Sequence, residues 1–229
     1  MHHTPRPAAG GIDRLLHHPG IWRAGDASAP PGNTFASGFP VLDGMLPGGG
    51  WPRGAVTEIR TADEGIGELG LLVPALAQLT GTGRRVVWIA PPHVPHAPAL
   101  ADRGVDVSRL LLVRGVETRD SLWAAEQALR TPACGAVLLW EGAGRFSVRI
   151  LRRLQLAAKA GGGFGVVFRR PQAGASPAAL RLGLEPQPPG LAVTLLKCRG
   201  GMPGRRVVLG DAVWNEDRCG ASCGLSRDL

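Results

Sequence analysis

Lysine is nearly missing from this chain: of its 26 Lys and Arg residues, only Lys159 and Lys197 are lysine. A cationic function must therefore run through planar guanidinium groups rather than compact ammonium charges. Cysteine is sparse as well. Cys134, Cys198, Cys219 and Cys223 form no C-x-x-C pair, and no histidine stands at ligand spacing near the last two. That argues against a structural zinc site and for free thiols in a reducing compartment. No run of about eighteen uncharged apolar residues occurs, and the opening MHHTPRPAAGG has no apolar core for a signal peptide. The expectation is a soluble, cytoplasmic protein. A G-x-S-x-G turn is missing too, no cysteine has a nearby histidine in sequence, and His93 and His96 of PPHVPHAP have no carboxylate or cysteine at metal spacing. No catalytic residue, metal ligand or cofactor is therefore expected from these patterns.

What is present points to one packed domain. With 229 residues, 44% apolar content and a mean hydropathy of +0.04, the chain can bury one good core. The formal charge of +8 suits contact with phosphates or acidic protein surfaces. Enrichment in Arg, Ala, Gly and Pro is also the imprint of a GC-rich coding sequence, so charge alone does not establish nucleic-acid binding. Residues 1–33 hold a short helical pattern at 12–18, then Ile21-Trp22 and a Gly/Ala/Pro-rich linker. Such a mini-helix needs somewhere to dock, on its own domain or on a partner, and Trp22 is a candidate contact. Residues 211–229 have little periodicity and read as a flexible tail.

Between them, residues 34–210 alternate short apolar strands with helices. Strands are expected at 55–59, 85–90, 110–113, 136–140 and 165–168, and helices at 39–45, 67–79, 97–103, 120–130 and 147–160. This predicts an α/β fold whose mostly parallel sheet is flanked by helices on both faces. Near the end, 191–197 and 206–209 read as a hairpin around GGMPG.

The stretch TADEGIGELGLL, 61–72, falls where a phosphate loop belongs, after a strand and at the start of a helix. A working loop, G-x-x-x-x-G-K-S/T, wraps phosphates in backbone N–H groups, reaches them with Lys and holds magnesium with a hydroxyl. On that template Ala62 takes the first glycine position, Gly67 the second, Glu68 the lysine position and Leu69 the hydroxyl position. Exchanging Lys for Glu turns attraction into repulsion, worth roughly 4 kcal/mol for charges about 4 Å apart at an effective dielectric near 20. Glu68 is instead expected to complement the dipole of the helix it opens. A nucleotide hydrolase also needs an Asp at an apolar strand end, and there the chain has Trp140 followed by Glu141.

The order SGFPVLDGMLPGGGWPRGAVTEI, the loop above, RRVVWIAPP, RGVDVSRLLLVRG and ACGAVLLWEG resembles a RecA-type core. More closely it is similar to the ImuA family, degenerate RecA-like proteins of bacterial translesion-synthesis operons. The resemblance runs from LLHHPGIWRAG to about Gly210, with LPGGGWPRGAVTEI, GIGEL and LLKCRGG its most specific pieces. It implies a RecA-like core with a degenerate P-loop. RecA carries an acidic catalytic residue after its second core strand, where this chain has Pro91-Pro92. The resemblance further implies a non-enzymatic accessory role in SOS-induced mutagenesis, with an ImuB-like protein, a translesion DNA polymerase of the C family and RecA as partners. Two alternatives remain: a SulA-type division inhibitor that binds FtsZ, and a RecA-like ATPase with an unorthodox site.

Basic clusters supply the contact candidates. Arg145, Arg149, Arg152 and Arg153 are spaced to share one helical face, either a solvated charged face or a contact for DNA or an acidic partner. Arg169 and Arg170 end a strand before a Pro/Gly/Ala-rich loop, about where the resemblance to RecA puts a mobile DNA-facing loop, and the loop has no aromatic residue for base stacking. Lys197 and Arg199 alternate on LLKCRGG and face either a neighbouring acidic surface or this chain's own carboxylates.

Overall fold

Strands made of consecutive Val, Ile and Leu expose apolar side chains on both pleat faces, so they persist only between two layers of helices. The computed structural model, which describes residues 33–115, 117–142, 144–198 and 201–210, has that arrangement. A small antiparallel pair, β1 (Thr34–Phe35) and β2 (Trp51–Pro52), flanks helix α1 (Pro40–Asp43). The main run is β3 (Ala55–Thr61), α2 (Val73–Gly81), β4 (Arg85–Ile89), α3 (Ala97–Asp102), β5 (Leu110–Val113), α4 (Thr118–Arg130), β6 (Cys134–Trp140), α5 (Val148–Gly161) and β7 (Phe164–Arg169). Three further strands follow, β8 (Leu180–Gln187), β9 (Gly190–Cys198) and β10 (Arg206–Leu209). Among the described residues, eight strands form one sheet in the order β10-β9-β8-β3-β7-β6-β4-β5. From β8 to β5 all neighbours are parallel, whereas β9 and β10 join antiparallel.

Side-chain alternation divides the core in two. Ile59, Val86, Trp88, Leu138, Val166 and Leu182 face α1 and α2. Val56, Val87, Ile89, Val137, Leu139 and Val167 face α4 and α5, meeting Ala125, Leu129, Leu151 and Leu154. Ser147 caps α5 by accepting from the Ile150 N–H, and Gly162 closes that helix with φ of 71°. Gln155 of α5 accepts the Val56 N–H at 3.0 Å, tying the helix to the start of β3.

Three expectations change. The helix expected from residue 67 begins only at Val73, because Pro74 has no N–H and its ring would collide with the Gly70 carbonyl in a continuous helix. Glu68 therefore lies in the turns before the helix, and its role as a charge in the first helical turn does not hold. The region after β7 is not one long loop: β8 leaves it at Leu180 and pairs with both β3 and β9. Arg145 precedes α5, so only Arg149, Arg152 and Arg153 share a helical face. The hairpin of β9 and β10 forms as expected. The N-terminal pattern with Trp22, the residue Arg199 and the tail 211–229 lie outside the described residues.

Candidate functional site

In parallel α/β sheets, ligands bind beyond the carboxyl ends of the strands. Here the ends of β3, β6 and β7 open into a cleft of about 700 Å³. The 61–68 loop forms one wall and Arg170 to Gln172 another, with Trp140 and Phe168 between them. Trp140 is 8% exposed and lies parallel to Phe168, with ring centroids 4.6 Å apart; Trp88 packs on it at 5.7 Å. The strand end that would carry a metal-binding Asp in a nucleotide hydrolase is thus an aromatic stack, worth about 0.5–1.5 kcal/mol per pair beyond its burial.

The loop folds on itself. Gly65 and Gly67 take φ of 75° and 96°, left-handed values that a side chain would resist. Thr61 donates to the Asp63 carbonyl at 2.6 Å, and the Gly65 N–H donates to Glu68 Oε1 at 3.1 Å. Glu68 is only 6% exposed, and its Oε2 is buried without a hydrogen-bond partner. The side chain in the lysine position therefore occupies a loop N–H with its own carboxylate.

Beneath the cleft is an ion network that sequence reasoning missed. Glu58, fully buried in β3, meets Arg60 Nε at 2.6 Å, Arg181 Nε at 3.3 Å and Arg169 Nη1 at 3.4 Å. Strand pairing dictates this. Arg60 is level with Arg169, and Glu58 with Arg181, on one pleat face. Burial pushes the Glu58 carboxyl up, but donation from Ser176 and Arg60 and the charges of Arg181 and Arg169 outweigh it and hold the group below its ordinary range. Glu141 accepts from Arg169 Nε at 3.0 Å and from the Phe146 N–H at 2.6 Å, so both its partners come from this chain. The available signal was one carboxylate inside the apolar run AVTEI, a placement that a buried charge tolerates only when paired.

The contact candidates now separate. Arg169 is 4% exposed and also donates to the Phe146 carbonyl, which corrects its expected place on the surface. Arg170 remains exposed at the cleft rim. The loop after β7, expected to be flexible, is pinned: Arg60 donates to the Pro171 and Gly174 carbonyls, and Arg181 and Lys197 donate to that of Ser176. Arg149 and Arg152 are exposed on α5, whereas Arg153 pairs with Glu126 of α4, which also holds Arg130. Donation from Arg130, opposed by burial and reinforced by Arg153, keeps the Glu126 carboxyl below its usual range. Among the described residues no group of three His, Cys, Asp or Glu is placed to hold a metal ion, and no helix is long and apolar enough to cross a membrane.

A mostly parallel α/β sheet with a strand-loop-helix turn at its carboxyl edge fits a RecA-like core. Comparison with known proteins agrees: the chain is 31% identical over 130 residues to Protein RecA of Prochlorococcus marinus, spanning 57% of this chain and 35% of that protein. It is 33% identical over 202 residues to Protein ImuA of Caulobacter vibrioides, covering 76% of this chain and 82% of that relative, and it belongs to the ImuA family. The model of another family, Cell division inhibitor SulA, matches residues 54–165, just under half of the 229 residues.

Proposed function

We propose that the chain is a non-catalytic, RecA-like accessory protein of translesion DNA synthesis, acting as an adaptor for an ImuB-like protein and an error-prone polymerase of the C family. Kinship with Protein ImuA supports the process. The observation that supports the non-catalytic part is the composition of the cleft: Glu68 stands in the lysine position with its carboxylate on the Gly65 N–H, and Trp140 stands in the metal-binding Asp position inside an aromatic stack. Those side chains do not fit a magnesium–triphosphate ligand, which asks for cationic donors and an accessible carboxylate. With the cleft excluded, exposed surfaces such as Arg149 and Arg152 of α5 and Arg170 at the rim carry the contacts. Purification of the tagged protein after DNA damage tests the reading. The ImuB-like protein and the polymerase are expected to come with it, with RecA as a further partner; their absence from a damaged culture that expresses all of them would contradict it.

The match to the SulA family model favours a second reading, a division inhibitor that binds FtsZ. Assembly of purified FtsZ in the presence of this protein separates the two: inhibition at stoichiometric amounts supports the second reading, and unaffected assembly supports the first.

A further inference from the structure

The amino edge of the sheet carries a second cavity, of about 290 Å³, where β3 and β8 begin and where Cys198 lies level with Leu180. Pro47, Pro52, Ala55, Ala179 and Leu180 give it apolar walls. Its charged side chains are Arg53 and Lys159, and no carboxylate lines it. Arg53 is held from three directions: its N–H donates to the Asn33 carbonyl at 2.7 Å, its carbonyl accepts from the Asn33 amide at 3.1 Å, and its guanidinium carbon stands 4.7 Å from the centre of the Phe35 ring. Among the described residues, however, no acceptor meets the side-chain N–H groups of Arg53, and none meets the Lys159 ammonium. Lys159 is brought close to it, since a side chain built on Gly54 would come within 3.7 Å of the Lys159 Cα. A cation in the last turn of α5 is accounted for by the helix dipole alone. Arg53 is not, because a guanidinium fixed against an aromatic face with its donors unused is already oriented for a planar acceptor.

We propose that this cavity receives a short acidic and apolar segment of a partner protein, with a carboxylate on Arg53 and Lys159 and an adjoining apolar side chain against Pro47, Pro52 and Leu180. Charge complementarity selects the carboxylate, and the apolar walls select its neighbour. A DNA backbone supplies the anion but no apolar group to fill the walls. A volume of about 290 Å³ is at the lower end for ligand pockets and suits one anchoring side chain with its charged neighbour. The cavity lies at the other edge of the sheet from the 61–68 loop, so the inference does not depend on whether the cleft takes a nucleotide.

The test titrates the full-length protein, ¹⁵N-labelled, with the peptide Ac-Asp-Leu-Glu-Leu-NH₂ and, separately, with its neutral counterpart Ac-Asn-Leu-Gln-Leu-NH₂, its polar counterpart Ac-Asp-Ser-Glu-Ser-NH₂ and a short DNA duplex. The acidic leucine peptide is expected to bind saturably and shift the amides of Gly54 and Ala55, with both counterparts at least about tenfold weaker. Lys159→Gln, an exposed change, is expected to weaken that peptide about threefold, and Arg53→Gln combined with Lys159→Gln about tenfold. Equal binding of either counterpart, or no loss in either variant, would overturn the proposal. Tighter binding of the duplex at the same amides would overturn a peptide as occupant. Asp26 is the one carboxylate in the linker that leads to Asn33. No binding to the wild type would overturn the partner segment as occupant, and binding gained on Asp26→Asn would then assign the cavity to the chain's own linker.

Discussion

Replacing Glu58 by Gln removes the one carboxylate that three arginines share. Arg169 is 3% exposed at its side chain, Arg60 13% and Arg181 16%, so little water is available to replace the lost partner. Removing one member of a buried pair costs about 3–5 kcal/mol, and here Arg60 and Arg181 lose their carboxylate while Arg169 keeps only Glu141. In a domain of this size each kcal/mol shifts Tm by about 2–4 °C, so the variant should melt roughly 6–20 °C lower. Such a loss is a large part of a total stability of about 5–15 kcal/mol. The pH dependence has a definite sign. The folded Glu58 carboxyl titrates below its ordinary value of 4.5, so its contribution is fully present above that value and is lost as pH falls through the folded pKa. The gap between wild type and Glu58→Gln should therefore be constant near neutrality and close in acid. Urea unfolding monitored by tryptophan fluorescence, repeated from neutral pH into acid, measures it. A variant within about 0.5 kcal/mol of wild type at pH 7 would refute the idea that this network holds the strand ends together.

Three other substitutions or labels probe neighbouring links. Trp140→Ala should destabilise the domain by about 3–5 kcal/mol in the same unfolding assay, since it empties the stack between Trp88 and Phe168. Ser147→Ala should cost about 1 kcal/mol, read as a lower urea midpoint with an unchanged slope, through loss of the cap on the Ile150 N–H. Burial pushes the Cys134 thiol up to about 11, so peptide mapping after brief iodoacetamide treatment at about pH 8 should find this residue unmodified until the protein is unfolded.

Much of the scaffold was legible because the strands β3 to β7 are short apolar runs between turn residues. Their alternation with helices sets a parallel sheet almost unaided. What escaped were places where a long-range partner decides. In β8 the pattern Leu180, Leu182, Leu184 alternates with Arg181, Gly183 and Glu185, but a glycine and a proline within the strand, and the Pro/Gly-rich flanks, make it look like loop. Its pairing with β3 and β9, in which Gly183 lies under the Leu196 side chain, supplies what local preference does not. The expected start of α2 at residue 67 fails for a local reason: Pro74 stands in the first turn of the helix rather than in its interior.

At the site, the acidic residue at 68 and the tryptophan at 140 were visible one by one. Their consequences were not. That Glu68 bonds the Gly65 N–H depends on how the loop turns back on itself, and that Arg169 turns inward depends on the sheet bringing it to Glu141, 28 positions away, and to Glu58, 111 positions away. Arg169 and Arg170 are adjacent and chemically identical, yet pleating sends one into the network and the other to the cleft rim.

The most direct test of the central claim is equilibrium binding of MgATP to the purified full-length protein by calorimetry, with an active RecA as positive control. The expected result is no saturable binding up to about 1 mM ATP, corresponding to affinity weaker than about −4 kcal/mol. Saturable sub-millimolar binding that disappears on Gly67→Val would contradict it and return the cleft to nucleotide chemistry.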